Sequence, residues 1–295
     1  MMIDSHAHYN HNSYNGQFRY LTYTSDGYAL EEGDRAQLLH RLWDAGIRCS
    51  VEPGISLQSC EGVLALCKAN SVRIFPAIGV HPTRTVSEKW ADRHILAAYA
   101  KTPGVIAIGE TGLDYHFPRK QQHRLKQHIW FLYQLRLARK LHLPVILHIR
   151  NAHQDALRIL RRHPARNLGG VVHCFNGDWK TAQEYLKLGY HIGIGGAVVQ
   201  KAERAGALWE AVKNMPLERI LIETDAPFIL PDCKDVIPSK QLRRARNTSL
   251  ILPAVIEKIA ELKGIPAEVV ERVTAENAIR LFGLPVAEGG ETDGL

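Results

Sequence analysis

The sequence lacks the features of a membrane protein and of a secreted, disulfide-rich one. No apolar run among its 295 residues approaches the roughly 18 residues that a transmembrane helix needs. Its five cysteines are odd in number and include no CxxC pair, as is typical of reduced thiols in the cytosol. The N-terminus carries an aspartate and histidines where a signal peptide has a basic and then an apolar segment. We therefore expect a cytoplasmic protein without a membrane segment.

The sequence also lacks a linker, a low-complexity block and a GxGxxG motif after its first apolar stretch. The missing glycine motif argues against a dinucleotide-binding fold. Hydrophobic residues make up 45% and charged residues 23% of the chain, ordinary values for a globular protein with a sizeable core. We predict one domain over residues 1–285 and a flexible tail over residues 286–295.

Short apolar strands alternate with amphipathic helices, a pattern typical of parallel α/β folds. The predicted strands are 2–8, 48–53, 73–80, 104–110, 144–148, 170–174, 190–195 and 219–224. The predicted helices are 32–45, 57–70, 88–101, 121–142, 151–163, 178–188, 201–213 and 249–263, with a further one at 267–282. Eight strand–helix units fit a closed (β/α)8 TIM barrel better than an open doubly wound sheet. Residues 9–31 and 226–247 are predicted to be long loops on the face where the strands end, which carries the active site in such barrels.

Two histidines follow Ile3 near the end of the first predicted strand. Side chains two residues apart on a strand point to the same face, so His6 and His8 aim both imidazoles at one place. A converging pair of imidazoles fills a core poorly and holds a divalent metal well. The pair alone is suggestive of a metal site.

Four other ligand-type residues stand at or after the ends of later predicted strands: Glu110, His148, His173 and Asp225. Taken singly, each has another interpretation, since Glu110 could cap a helix and Asp225 could open a turn before a proline. In a barrel, however, the strand ends converge on the axis, so all six side chains can meet. Their recurrence at one topological position favours a metal site. His81, after the third predicted strand, joins the same rim.

Four histidines and two carboxylates are more ligands than one catalytic zinc takes. They suit two metals roughly 3.5–4 Å apart that share a bridging carboxylate, for which Glu110 is the best candidate. Imidazole and carboxylate donors suit Zn²⁺ or Mn²⁺ and accept Mg²⁺ less predictably. The division that we predict gives one metal His6, His8 and Asp225, and the other His148 and His173.

The formal charge of +7 favours polyanionic partners but says little alone. Candidate phosphate contacts occupy the predicted rim loops. They are Arg84, Arg119, Lys120, Arg150, Lys180, Arg243, Arg244 and Arg246. For most of them a solvated charged face is the simpler interpretation. The segment from Arg243 to Arg246 is favoured for phosphate, because it follows Asp225 on a loop at the ligand end of the barrel.

The 9–31 segment is rich in aromatic rings around one cation. These residues are Tyr9, Tyr14, Phe18, Arg19, Tyr20, Tyr23 and Tyr28. Rings interleaved with a cation can stack unpaired bases. The alternative, which we favour slightly, is a lid that packs its own rings against the barrel rim.

The motifs IDSHAH, AIGVHP, AIGETGLDY, VILHIRNAH, VVHCFNGD and LIETDAPF follow one another over nearly the whole chain. In order and spacing they resemble those of the TatD family of metal-dependent DNases, within the amidohydrolase-like superfamily, and GETGLDY and ETDAP are close to diagnostic. The resemblance implies a barrel, a divalent-metal site and phosphodiester hydrolysis, typically of DNA ends. It places the metal ligands at His6, His8, Glu110, His148, His173 and Asp225, and substrate handling at His81.

The chain departs from the family pattern at three places. Thr83 stands where the family commonly has a second histidine, in HPH. Residues 246–249 read RNTS where the family commonly reads RNEP, and the 9–31 segment is longer and richer in tyrosine. None of these positions is an inferred ligand, so the departures concern substrate preference.

The leading hypothesis is a deoxyribonuclease acting on single-stranded or frayed DNA ends, with Glu110 bridging and Asp225 both binding metal and accepting the attacking water's proton. His81 would contact a phosphate oxygen or protonate the leaving oxygen, unless it is a turn histidine fixed by Pro82. The same site could activate water for an amide, ester, lactone or small phosphate ester, and the fold could serve a non-catalytic binding protein. The basic loop favours DNA, and no obligate protein partner is indicated.

Overall fold

The computed structural model describes residues 1–116, 121–163 and 168–285. The predicted tail at 286–295 and two of the candidate phosphate contacts, Arg119 and Lys120, lie outside these residues. Among the described residues, no helix combines the length and the hydropathy that crossing a bilayer would take.

Eleven strands lie in the described part of the chain. They are β1 (Met2–Asp4), β2 (Phe18–Thr24), β3 (Gly27–Gly33), β4 (Ile47–Pro53), β5 (Ile74–Ile78), β6 (Ala107–Asp114), β7 (Val145–Arg150), β8 (Gly170–Val172), β9 (His191–Ile194), β10 (Ile220–Ile222) and β11 (Ala245–Arg246). Eight of them, all parallel, form one sheet in the order β1-β4-β5-β6-β7-β8-β9-β10. The Ser5 N–H donates to the Ile222 carbonyl at 3.0 Å, and a parallel bridge joins Ala7 to Ala226, so β10 returns beside β1. The predicted (β/α)8 barrel is confirmed.

Helices follow the strands as the amphipathic pattern predicts. They are α1 (Arg35–Asp44), α2 (Leu57–Ala69), α3 (Arg93–Tyr99), α4 (Gln121–Leu141), α5 (His153–Arg162), α6 (Trp179–Lys187), α7 (Ala202–Asn214), α8 (Ser239–Leu242), α9 (Leu252–Lys263) and α10 (Ala267–Phe282). Local capping sets several ends: the Asp34 carboxylate accepts the Gln37 N–H to begin α1, and Gly264, at φ 65°, ends α9. Among the predicted helices α3 is shortened most, because a 3₁₀ turn precedes it.

The interior of the barrel is apolar at the end where the strands begin, and α10 lies across that end. The Asn277 amide donates to the carbonyls of Leu217 and Ile220, both at 2.9 Å, which ties α10 to the start of β10. The α10 side chains then pack on inward-facing strand residues. This apolar base consists of Ile3, Cys49, Val51, Phe75, Ala77, Ala107, Ile146, Val171, Leu221, Ala275, Ala278, Phe282 and Leu284.

The prediction of a loop over residues 9–31 is wrong for most of that segment. Strands β2 and β3 form an antiparallel hairpin, and β11, from the second predicted loop, pairs with β2 to give a three-stranded sheet. Phe18 and Tyr20 are buried, whereas Arg19 between them is exposed, the alternation of a half-buried strand. Gly27, at φ 95°, supplies a turn conformation that other residues adopt rarely. The Asp-Gly pair at this turn was the available sequence signal.

Candidate metal centre

The seam where the barrel closes positions three of the predicted ligands. Strand β1 ends at Asp4, so the predicted strand 2–8 is too long and His6 and His8 lie beyond its end. Backbone hydrogen bonds hold them instead: the Asp225 N–H donates to the His6 carbonyl at 2.9 Å, and the His8 N–H donates to the Ala226 carbonyl at 2.7 Å. The same register therefore fixes His6, His8 and Asp225 relative to one another.

Around this seam, the two imidazoles and the aspartate form one compact group. The Nε2 atoms of His6 and His8 lie 3.1 Å apart. Asp225 Oδ1 lies 3.6 Å from the first and 3.5 Å from the second. The three donor atoms are close enough to hold one cation between them. This is the trio that the sequence assigns to one metal.

Glu110 lies at the centre of the cluster, on β6, with a side chain that is 3% exposed. Its Oε2 is 3.7 Å from His6 Nε2 and 3.6 Å from His8 Nε2. Its Oε1 is 2.9 Å from His148 Nδ1 and 2.8 Å from His173 Nε2. One carboxylate therefore faces two histidine pairs, one with each oxygen.

His81 joins the side of the cluster that faces Glu110 Oε1. It precedes a 3₁₀ turn at Pro82–Arg84, and its Nε2 lies 3.4 Å from Glu110 Oε1. Its Nδ1 accepts the Thr83 N–H at 3.1 Å and lies 2.7 Å from the Thr83 hydroxyl. Thr83, one of the departures from the family pattern, thus orients the His81 ring. Since Nδ1 accepts a hydrogen bond, the proton of a neutral His81 is on Nε2, toward the cluster.

Electrostatics divides the cluster into anions and cations. Burial alone raises the pKa of Glu110, but the charges of His81 and His173 and hydrogen bonds from His148 and His173 bring it well below the usual value. Burial likewise lowers the pKa of His8, yet its hydrogen bond to Asp225 and the charge of Glu110 raise it to about 9. A divalent cation that binds here displaces protons from the imidazoles. It then supplies the positive charge that protonated histidines otherwise place beside these carboxylates.

The donor set fits a divalent metal. Protonated imidazoles would place like charges side by side here, because the facing nitrogens lie 3.1 Å apart in His6 and His8 and 3.0 Å apart in His148 and His173. A metal ion held by such a pair removes that repulsion, because it displaces the protons. Imidazole nitrogens with carboxylate oxygens are the donors that zinc and similar divalent ions take. All six predicted ligands meet here, and His81, 3.4 Å from Glu110, is the seventh side chain of the cluster.

Carboxylates behind the histidines form a second layer that the sequence reasoning missed. Asp114, at the end of β6, lies with Oδ2 3.1 Å from His148 Nε2. Glu223, fully buried after β10, lies 3.7 Å from His173 Nδ1 and also accepts the Cys174 N–H. Partners of this kind fix the orientation of ligating imidazoles. Both carboxylates stand in the motifs GETGLDY and LIETDAPF, which was the available signal.

A buried network behind the seam contains another departure from the family pattern. Asp4 accepts the His6 N–H at 3.1 Å, and hydroxyl hydrogen bonds at 2.6 Å link it to Thr224 and Ser249. The Ser249 N–H in turn donates to the Tyr9 oxygen at 2.9 Å. A proline at position 249 would have neither the hydroxyl nor the N–H. The RNTS segment therefore supports the backbone that carries His6 and Asp225.

Four of the predicted phosphate contacts fall in two places, whereas Arg84 lies in the 3₁₀ turn after His81 and Lys180 at the start of α6. Arg150 is exposed at the end of β7, two residues after His148. Arg243, Arg244 and Arg246 line a cleft of about 530 Å³ together with Gln17, Phe18, Arg19 and Glu32. This arginine cleft borders the hairpin and not the histidines themselves. Arg246 connects the cleft to the barrel seam. Its Nε donates to the Ser13 carbonyl at 3.2 Å, and the amide of the next residue, Asn247, donates to the carbonyl of Thr224, directly before Asp225, at 2.9 Å.

Most of the aromatic rings of the 9–31 segment are interior. Tyr9, Tyr14, Phe18 and Tyr20 are all buried, with ring centroids 5.4 Å apart for Tyr9 and Tyr14 and 5.1 Å for Tyr14 and Phe18. Base stacking on these four rings is therefore the wrong interpretation. They pack against one another and the barrel rim, as the alternative predicted.

Comparison with known proteins places this geometry in a family. Residues 3–283 match the family described as TatD related DNase. The chain is 32% identical over 282 residues to the "uncharacterized metal-dependent hydrolase YabD" of Bacillus subtilis, covering 96% of this chain and 99% of that one. It is 34% identical to the "3'-5' ssDNA/RNA exonuclease TatD" of Citrobacter rodentium, covering 85% and 92%. The crystal structure of YJJV, a TatD homologue of Escherichia coli, superposes with a TM-score of 0.81 at 26% identity, covering 96% and 98%.

Proposed function

The chain belongs to the TatD family of metal-dependent hydrolases acting on ester bonds, and we propose that it is a deoxyribonuclease that cleaves the phosphodiester bonds of single-stranded or frayed DNA ends. The relative named as an ssDNA/RNA exonuclease supports a nucleic-acid substrate. The arginine cleft at the β2–β3 hairpin supports the same substrate class, because phosphates need cationic partners.

The observation that carries the proposal is the position of Glu110, whose two oxygens face two separate histidine pairs. This suits two divalent ions, Zn²⁺, Mn²⁺ or Mg²⁺, to both of which Glu110 would supply a carboxylate oxygen. His6, His8 and Asp225 would hold one ion, and His148 and His173 the other. When bound, the ions lower the pKa of water and offset the charge of the phosphate.

The side chains divide the proton transfers between them. Asp225 is 16% exposed and Glu110 only 3%, so Asp225 is the carboxylate that a water molecule entering from solvent meets. It accepts the proton of the attacking water. Thr83 holds the proton of a neutral His81 on Nε2, from which the imidazole donates a hydrogen bond to a phosphate oxygen. Protonating the leaving oxygen would instead need the imidazolium form of His81.

Labelled DNA and elemental analysis test the proposal together. Purified protein should contain up to two divalent ions per chain and should shorten single-stranded DNA carrying a 5′ or a 3′ label, with RNA as a parallel substrate. A chelator should abolish cleavage, and added metal should restore it. Glu110→Ala should lose both the metal and the activity, and full activity in this variant would reject the site.

Salt dependence separates a nucleic-acid substrate from a small ester. Each phosphate contact to single-stranded DNA contributes about −0.7 to the slope of log affinity against log salt. If Arg243, Arg244 and Arg246 contact phosphates, replacing all three with glutamine should make the slope shallower by about 2. An affinity independent of salt, together with rapid hydrolysis of an uncharged ester, would overturn the nuclease assignment.

A further inference from the structure

We propose that Phe228 and His11 form a stacking site for one nucleobase of the substrate, directly beside the metal ligands. This inference rests on the proposed nucleic-acid substrate and names the part of the site that holds a base. The two residues would serve as the base-binding element in place of the tyrosine and phenylalanine rings of the 9–31 segment, most of which are buried.

Phe228 is an exposed aromatic ring next to the metal centre. It lies three residues after Asp225, and its side chain keeps 45% of its surface open. Its ring centroid is 6.0 Å from that of His8, a predicted ligand, and 5.3 Å from that of His11, with edge-to-face angles in both pairs. One part of the ring packs on these two imidazoles, and the open part presents an apolar surface beside the predicted metal ligands.

The backbone under Phe228 is held firmly. The Phe228 N–H donates to the Asp225 carbonyl at 2.8 Å, and the Asn247 N–H donates to the Pro227 carbonyl at 3.1 Å. The Asn247 amide also donates to the Ile229 carbonyl at 3.2 Å. A ring carried by backbone that is fixed in advance costs less conformational freedom when a flat ligand stacks on it.

His11 completes the site from the opposite side of the seam. Its Nδ1 accepts the Ser13 N–H at 3.1 Å, which fixes the orientation of its ring. Arg246 donates to the carbonyl of the same Ser13, so a guanidinium lies beside the turn that carries His11. The order along the surface is then metal ligands, the Phe228–His11 pair, and the arginine cleft. That order matches a DNA strand that places its scissile phosphate at the metal ligands, a base on the aromatic pair and the following phosphates in the arginine cleft.

A nucleobase is the occupant that this setting favours. A base offers a π-face to an aromatic ring whatever its sequence, whereas its phosphates need the cations alongside. Stacking of one base on an aromatic side chain commonly changes affinity by roughly 5- to 100-fold. We expect a Phe228→Ala change to fall in this range for binding of single-stranded DNA.

Fluorescence of 2-aminopurine tests the stacking directly. Oligonucleotides would carry this base at the 5′ or the 3′ end, with phosphorothioate linkages next to it to slow cleavage by the holoenzyme. One of the two probes should be quenched on binding to the wild-type protein. The quenching should be lost in Phe228→Ala and kept in Phe228→Trp.

Trp90→Ala is the matched control, because Trp90 is an aromatic ring of nearly equal exposure, 43%, that packs on Trp130 and Tyr133. This variant should quench the probe as the wild type does.

The KM of Phe228→Ala should rise for DNA with a base at the probed position and stay unchanged for DNA that is abasic there.

The outcomes separate this inference from the proposed function. If the wild type cleaves DNA while Phe228→Ala retains the quenching and the KM, the stacking site is rejected and the nuclease stands. If the wild type neither binds nor cleaves either oligonucleotide, the nuclease assignment fails first, and the stacking site with it.

Discussion

The two ends of the barrel are built in opposite ways from the same eight strands. Where the strands begin, the interior is apolar and closed by Ala275, Ala278 and Phe282 of α10. Where they end, the interior holds histidines and carboxylates that are almost as deeply buried, among them His6 and Glu110. The donor atoms of the cluster lie on or after six of the eight strands, β1, β5, β6, β7, β8 and β10, at the end opposite the apolar base. This is the usual division in this fold.

Backbone conformation follows the same division. Among the described residues, five non-glycine residues have a positive φ, and four of them, Asn151, Cys174, Asp225 and Ile229, follow β7, β8 or β10 at the metal end. Such conformations cost of order 1–3 kcal/mol each and persist only where the surroundings impose them. Buried charges add a further cost unless they are paired. Packing in the apolar base therefore offsets the energetic cost of strained backbone and buried charges at the metal end.

The largest effect that separates the two ends should come from Asp225→Asn. Asparagine has the same shape and tolerates the φ of 54° at this position, so the fold should be retained. Loss of the proton acceptor should lower kcat by roughly 10²- to 10⁴-fold. Initial rates with labelled DNA and a thermal melt measure the two effects. Asp178→Asn, which keeps an N-cap on α6, is the control, and equal rates in both variants would remove Asp225 from the mechanism.

At the opposite end, Phe282→Ala should reverse the pattern. Phe282 is 4% exposed in the apolar base, and truncating a buried phenylalanine costs about 3–5 kcal/mol of the free energy of unfolding. The kcat per folded molecule should stay unchanged at low temperature. Denaturant unfolding measures the loss, with the exposed Val72→Ala as a control expected within about 0.5 kcal/mol of wild type. A fall in kcat without a loss of stability would show that the two ends are not separable.

The alternating pattern was sufficient to predict the barrel, because each strand and each helix has its own hydrophobic period. The hairpin β2–β3 was missed, since the polar and aromatic residues of 9–31 suggested a loop and the period-two alternation around Phe18 and Tyr20 was overlooked. Strand ends were also uncertain: β1 stops at Asp4, and His6 beyond it is held by the Asp225 N–H across the seam and by the Asp4 carboxylate.

The candidate ligands were recoverable because they recur at one position in successive units. The residues around the candidate ligands were not recoverable, because their positions depend on strand register and on the direction of each side chain. Asp114 and Glu223 lie in motifs that drew attention to their neighbours, and no pattern in one sequence says which carboxylate faces a metal and which faces a histidine. Phe228 likewise looks in sequence like any apolar residue after a proline. Its significance comes from an exposure that only the fold determines.

Asp114→Asn tests whether the second layer belongs to the chemistry of the metal end. Asparagine keeps the size of the side chain but removes the charge next to His148 Nε2, 3.1 Å away. Loss of such a partner typically lowers metal affinity or activity by 10- to 100-fold. Titration of the metal-depleted protein with Zn²⁺ or Mn²⁺ should show weaker binding, whereas Asp34→Asn, at the N-cap of α1, should bind as the wild type does. Unchanged metal affinity would assign Asp114 a structural role alone.

The smallest effect concerns a histidine at the end opposite the metals. His191 begins β9, and burial, with the charge of Arg219, lowers its pKa to about 4. The unfolded chain binds this proton near pH 6.5 and the folded chain does not, so its stabilising contribution is complete above pH 6.5 and is lost as the pH falls toward 4. The loss should amount to roughly 1–3 kcal/mol. The free energy of unfolding should therefore fall less steeply between pH 7 and pH 4 for His191→Gln than for wild type. The kcat at pH 7 should stay the same. Parallel stability curves would mean that acid sensitivity arises at the metal end, among the clustered histidines.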